Sequence, residues 1–126
     1  MTDFQYSPMQ VEWLDRLASG ETVQGKGRLI HNGAMCCIGV SCDMFAERLG
    51  MVVSDDDGAK AYDRERDYAP PKIVMAIGLL NSSGTTRSEA PKTSLAYKND
   101  HALTHPEIAA LIRSNPRTYL KEVRHD

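Results

Sequence analysis

Apolar residues return every three or four positions near the start of the chain, where Val11, Leu14, Leu17 and Ala18 fall on one helical stripe and Trp13 borders it. Ser7 and Pro8 open this stripe, because proline at the first helical position gives up an N–H that has no intrahelical partner there. Gly20 supplies a left-handed stop. A second stripe over residues 37–49 puts Ile38, Cys42, Phe45 and Leu49 on one face, with Gly50 as its stop. Pro70 and Pro71 start a shorter helix whose Ile73, Val74 and Ile77 face inward, ending near Gly78. A further helical turn is expected around residues 95–98. Thr104 or His105 then caps a helix with Pro106 and Glu107 in its first turn and Ile108, Leu111 and Ile112 on its buried face.

Between these stripes the pattern changes period. Residues 26–31 predict a short strand running into the tight-turn pair Asn32-Gly33. Residues 51–53 and 60–62 flank Asp55-Asp56-Asp57-Gly58, which reads as a hairpin with an acidic tip. Beyond it, Tyr62, Asp63, Arg64, Glu65, Arg66 and Asp67 alternate in the manner of an exposed edge strand blunted by charge. Residues 81–93 have loop composition and are expected to be mobile. Pro116 forces a break, leaving residues 117–126 as an exposed tail. The expected class is α+β: a small single domain over residues 1–126, mostly helical, with one or two short antiparallel β-hairpins.

Composition narrows the function classes. A length of 126 residues suits one domain that needs neither disulfide nor metal staple. A formal charge of −2 argues against duplex nucleic acid as a partner, since such binders carry a basic excess. No apolar run is long enough for a membrane span, and residues 1–5 show no leader pattern, so no membrane partner is expected. Three cysteines, two of them adjacent, fit a reducing cytoplasm better than a disulfide framework.

Candidate chemistry concentrates in Gln24-Gly25-Lys26-Gly27-Arg28. Glycine amides can converge on an anion, Arg28 can grip a phosphate at two points, and Lys26 acts as a point charge. The spacing is neither a Walker loop nor a dinucleotide fingerprint. The competing reading is a glycine-rich connection with solvated charges. Asn99 and Asp100, beside His101, carry donors and acceptors suited to a ribose or a base edge, or else serve as loop and cap chemistry. Tyr62, Tyr68 and Tyr97 are candidate stacking faces.

Cys36, Cys37 and Cys42 lack zinc spacing, and no histidine pair has metal-ligand spacing, so no metal and no cofactor are expected. Cys36 or Cys37 at a helix start could be a nucleophile with His31 or His101 as base, although structural use is the simpler reading. No catalytic residue is assigned. The expected ligand-binding set is Gln24, Gly25, Lys26, Gly27, Arg28, Asn99 and Asp100.

The pattern W13-x3-L17-x-S19-G20-x3-Q24-G25-x-G27-x-L29, followed by C36-C37-x-G39-V40-x-C42-D43, resembles a group of small proteins of tailed phages and prophages. Leu95, Asn99 and Asp100, then Ile108, Ala109 and Ile112, extend the similarity. Ile38 and Ser41 stand where that group often carries leucine. The resemblance implies an accessory phage protein acting in the host cytoplasm. The leading expectation is therefore a non-enzymatic binder of a phosphorylated, nucleotide-derived signalling molecule in counter-defence, expected to be a homo-oligomer. An inhibitor docking on a host protein is the alternative, and a small cysteine-dependent hydrolase or transferase a further one.

Overall fold

The computed structural model describes residues 4–82, 94–101 and 103–123. Their elements run α1 (Pro8–Ser19), β1 (Ile30–His31), β2 (Ala34–Met35), α2 (Cys37–Phe45), β3 (Val53–Asp56), β4 (Ala59–Tyr62), α3 (Pro71–Ile77), α4 (Leu95–His101), α5 (His105–Ser114) and α6 (Pro116–Tyr119). The fold is a small α+β domain in which helices form the core and a four-stranded antiparallel sheet, ordered β2-β1-β4-β3, closes one side.

The N-terminal stripe is rotated from the one the apolar pattern predicts. Gln10, Trp13, Leu14 and Leu17 are buried, whereas Val11 and Ala18 are exposed. A polar group decides the rotation. Gln10 Oε1 accepts from Ser7 N at 2.9 Å and Ser7 Oγ accepts from Gln10 N at 3.1 Å, a reciprocal cap. Gln10 Nε2 then donates to the carbonyls of Ile77 at 3.1 Å and Lys121 at 2.8 Å, so burying this amide joins three distant segments. Trp13, fully buried, donates its Nε1–H to the Cys37 carbonyl at 2.9 Å and ties α1 to the start of α2.

Three tight turns shape the sheet. Asn32-Gly33 has φ of 52° and 83°, and Asp57-Gly58 has 54° and 86°, the paired positive values that two-residue hairpins favour. Asp63-Arg64 is a third such turn, with φ of 50° and 75° and with Tyr62 and Glu65 exchanging backbone hydrogen bonds at 2.8 and 2.9 Å. The expected edge strand over 62–67 is therefore a turn, and β3 is the edge of the sheet instead. Asp63 makes the turn possible by accepting Val52 N at 2.8 Å with its own carboxylate.

The remaining differences are of extent. The first strand is confined to Ile30–His31, α2 ends at Phe45, and α4 continues to His101. The expected exposed tail begins as α6 and buries Tyr119 and Leu120. Leu120 pairs with Leu79, and Lys121 N donates to the Gly78 carbonyl at 2.7 Å. Residues 83–93 of the expected mobile loop lie outside the described residues.

Candidate functional site

The expected ligand residues come together, but mostly by satisfying one another. The segment around Gln24 runs alongside Met35: Met35 N donates to Val23 O at 2.7 Å and Gly25 N donates to Met35 O at 2.8 Å. A side chain on Gly25 would place its Cβ 2.9 Å from the Ala34 carbonyl, so only glycine permits this approach.

Gln24 and Asn99 each cap a helix from a distance. The first amides of any helix have no partner within it. Gln24 Oε1 accepts the first amide of α5, His105 N, at 3.0 Å. Asn99 Oδ1 accepts the first amide of α2, Cys37 N, at 3.0 Å. These acceptor roles fix the orientation of both amide groups. The donors are consumed as well. Gln24 Nε2 reaches Leu103 O at 2.8 Å and Asn99 Oδ1 at 3.0 Å, while Asn99 Nδ2 reaches Gly25 O at 2.8 Å and Asp100 Oδ1 at 3.1 Å. Asn99 is 1% exposed, so this lock excludes water.

Asp100 closes the other end. Its Oδ1 accepts Gly27 N at 2.9 Å, in a loop where Gly27 adopts φ of 76°. The two glycine amides expected to converge on an anion are thus taken, one by the Met35 carbonyl and one by a carboxylate of the chain itself. What remains outward is side-chain chemistry. Lys26 and Arg28 flank Gly27, both exposed, and neither has an ion-pair partner among the described residues. Asp100 Oδ2 is also without a partner among the described residues. On α4, at 100° per residue, Tyr97 projects 60° from Asp100. The Tyr97 ring packs against that of His101 with centroids 4.3 Å apart and planes at 34°. The other two candidate stacking rings diverge, Tyr62 being buried and Tyr68 exposed.

All three cysteines are free and buried. Cys36 caps α2, its Sγ accepting Gly39 N at 3.3 Å, yet it is 5% exposed. Burial pushes its thiol up to about 11, outweighing the backbone amides that favour the thiolate. Burial raises the thiols of Cys37 and Cys42 as well. Burial thus favours the neutral thiol at all three. No group of metal-binding side chains occurs among the described residues.

In sequence, His105 is marked only as a cap position. It is buried, its Nδ1 pairs with Thr22 Oγ1 at 2.5 Å, and its Nε2 has no hydrogen-bond partner among the described residues. Burial lowers its pKa, partly offset by the nearby Met35 carbonyl. The histidine pins the beginning of the same loop, and its signal in sequence was no more than a position behind Thr104.

No helix among the described residues is long and apolar enough to cross a membrane. No curated protein and no solved structure matches this chain. Residues 7–116 match the family described as "Domain of unknown function (DUF8296)", a span that contains the loop, both helix caps and all three cysteines; the chain belongs to that family.

Proposed function

We propose that this protein is a non-enzymatic binder of a phosphorylated small molecule, gripped by the Lys26 and Arg28 side chains. The observation that carries this reading is a loop fixed on both sides, by Met35 and by the Gln24–Asn99–Asp100 lock, that holds outward two cations with no ion-pair partner among the described residues. Fixing the loop lowers the ordering cost of binding. Arg28 would make two-point contact with a phosphate and Lys26 would add charge. Asp100 Oδ2 is suited to accept from a sugar hydroxyl, and the Tyr97–His101 pair offers a face for a base. Gln24, Asn99 and the Gly25 and Gly27 amides support the loop and do not touch the ligand. The grip is thus made by side chains, not by the backbone.

A nucleotide-derived signalling molecule fits this combination of phosphate, hydroxyl and ring contacts. Its capture in the cytoplasm of an infected host, as counter-defence, follows from the resemblance to phage proteins. The cysteine-dependent alternative is disfavoured by thiols that are buried and protonated. An open loop on a small domain also favours a site completed by a second subunit.

The test is isothermal titration with a panel of mono-, di- and cyclic oligonucleotides, using wild type, Lys26→Ala, Arg28→Ala and Asp100→Asn. Lys26→Ala and Arg28→Ala should each weaken binding at least tenfold with unchanged thermal melting. Unchanged affinity in both variants would refute the site.

A further inference from the structure

The open edge of the sheet and an apolar cavity beside it form a second surface, remote in sequence from the Lys26–Arg28 loop. We infer that β3 takes up an extended segment of a partner protein as an added antiparallel strand, basic at its N-terminal end and apolar at its C-terminal end.

The backbone register supplies the first half of the argument. Asp56 faces Ala59 across the two-residue turn, and Ser54 faces Ala61. In such a hairpin these pairs exchange hydrogen bonds, and Asp63 N continues the ladder by donating to Val52 O at 2.8 Å. Alternation then turns the N–H and C=O of Val53 and Asp55 away from β4 and into solvent. All four residues of β3 are exposed. These outward groups are a template for strand addition, and no helix or loop among the described residues covers them.

The second half comes from the neighbouring surface. Leu49, Lys72, Met75 and Ala76 line an open cavity of about 330 Å³. Met75 is 76% exposed and Val52 70%, apolar surface that no packing among the described residues explains. Asp63 links cavity and edge: its carboxylate accepts Val52 N at 2.8 Å and lies 3.8 Å from Lys72 Nζ, which also donates to Gly50 O at 3.3 Å. Val52, at the head of β3, is therefore tied through Asp63 to a residue that lines the cavity.

Charge selects the occupant. Residues 52–68 hold six carboxylates against three cations, so this hairpin is more acidic than the whole chain with its net −2. Asp55 faces Lys60 across the ladder and Asp56 lies 3.3 Å from Arg66, whereas Asp57 has no ion pair among the described residues. A second copy pairing with Asp55 opposite Asp55 would set like charges against each other, which destabilises a sheet. Read antiparallel, the register asks for basic residues opposite Asp56 and Asp55, a polar residue opposite Ser54, and apolar residues opposite Val53 and Val52. The last of these sits at the Val52 end, which Asp63 ties to the cavity-lining Lys72.

The test is fluorescence anisotropy with a labelled peptide reading lysine, lysine, threonine, valine, leucine, flanked by glycines. Three controls accompany it: the same peptide N-methylated at the second lysine and the valine, one with glutamates for the lysines, and one of scrambled order. Saturable binding to the wild-type protein is expected, weakened at least tenfold by N-methylation and by the glutamates, and weakened by Met75→Lys. Val53→Pro removes an outward N–H without touching the ladder, and its melt checks the fold. It should lose the peptide while keeping the thermal melt of the wild type. No binding, equal binding of the N-methylated or scrambled peptide, or a wild-type dimer in native mass spectrometry that Val53→Pro dissociates would each overturn the inference. The last result would assign the edge to a second copy.

Discussion

Removing the Asn99 side chain gives the sharpest test of how the loop is held. Asn99→Ala deletes four hydrogen bonds, to Cys37 N, Gln24 Nε2, Gly25 O and Asp100 Oδ1, at 2.8 to 3.1 Å. The four do not count equally. Gln24 Nε2 keeps the Leu103 carbonyl, and Asp100 keeps Gly27 N, so those two losses are small. Cys37 N is different, because it is a buried helix-start amide with no other partner among the described residues. Leaving such a donor unsatisfied costs roughly 1–3 kcal/mol. The half-buried Gly25 carbonyl adds roughly 1 kcal/mol on the same basis. Together the two give about 2–4 kcal/mol, to which a small cavity adds little because only a short side chain is lost. For a domain of this size each kcal/mol moves Tm by about 3–6 °C, so a fall of about 6–24 °C is expected. The assay is urea unfolding of wild type and variant, with amide exchange followed at Cys37 and Gly27. The Cys37 amide should exchange faster. A loss below about 1 kcal/mol, with unchanged exchange at both amides, would refute the structural role and return Asn99 to the ligand.

Three other outcomes follow from named groups. His105 has its pKa lowered by burial, so the unfolded chain takes up its proton first as pH falls. Its contribution to stability is full above the ordinary histidine value and is lost as pH drops below about 6.5 towards the folded pKa; urea midpoints at neutral and mildly acidic pH should differ, and His105→Gln should flatten the difference. All three cysteines should react slowly with iodoacetamide near neutral pH in the folded protein and rapidly in urea, as counted by intact mass; one fast cysteine in the folded state would contradict the burial argument. Gly25→Ala should destabilise more than Gly27→Ala in thermal melts, because the first meets the Ala34 backbone at 2.9 Å whereas the second meets nothing within 4 Å and bears only about 1 kcal/mol of left-handed strain.

The class and most helices were legible in sequence because caps and stops mark them locally. Ser7-Pro8, Thr104 with Glu107, Pro70-Pro71, Gly20 and Gly78 all act where the pattern places them. What was not legible depends on distant partners. The stripe of α1 turns on Gln10 reaching Ile77 and Lys121, contacts separated by 67 and 111 positions. Tyr119 and Leu120 look like tail residues until Leu79 pairs with Leu120. The 62–67 segment alternates like a strand, yet Asp63 bonds to Val52 and folds it into a turn. At the site, residue types revealed the cluster but not its economy. Gln24 and Asn99 have the chemistry of ligand readers, and the same donors and acceptors suit two helix starts that only the tertiary fold brings within reach.

The most direct test of the central claim is mass spectrometry of small molecules released by heat from wild-type protein and from a Lys26→Ala, Arg28→Ala double variant. Both would be purified from cells with active nucleotide signalling. The account predicts a phosphorylated compound near one equivalent per site in the wild type and its loss from the double variant, with both proteins folded. Wild-type protein that emerges empty, or a double variant that retains the same compound, would contradict it.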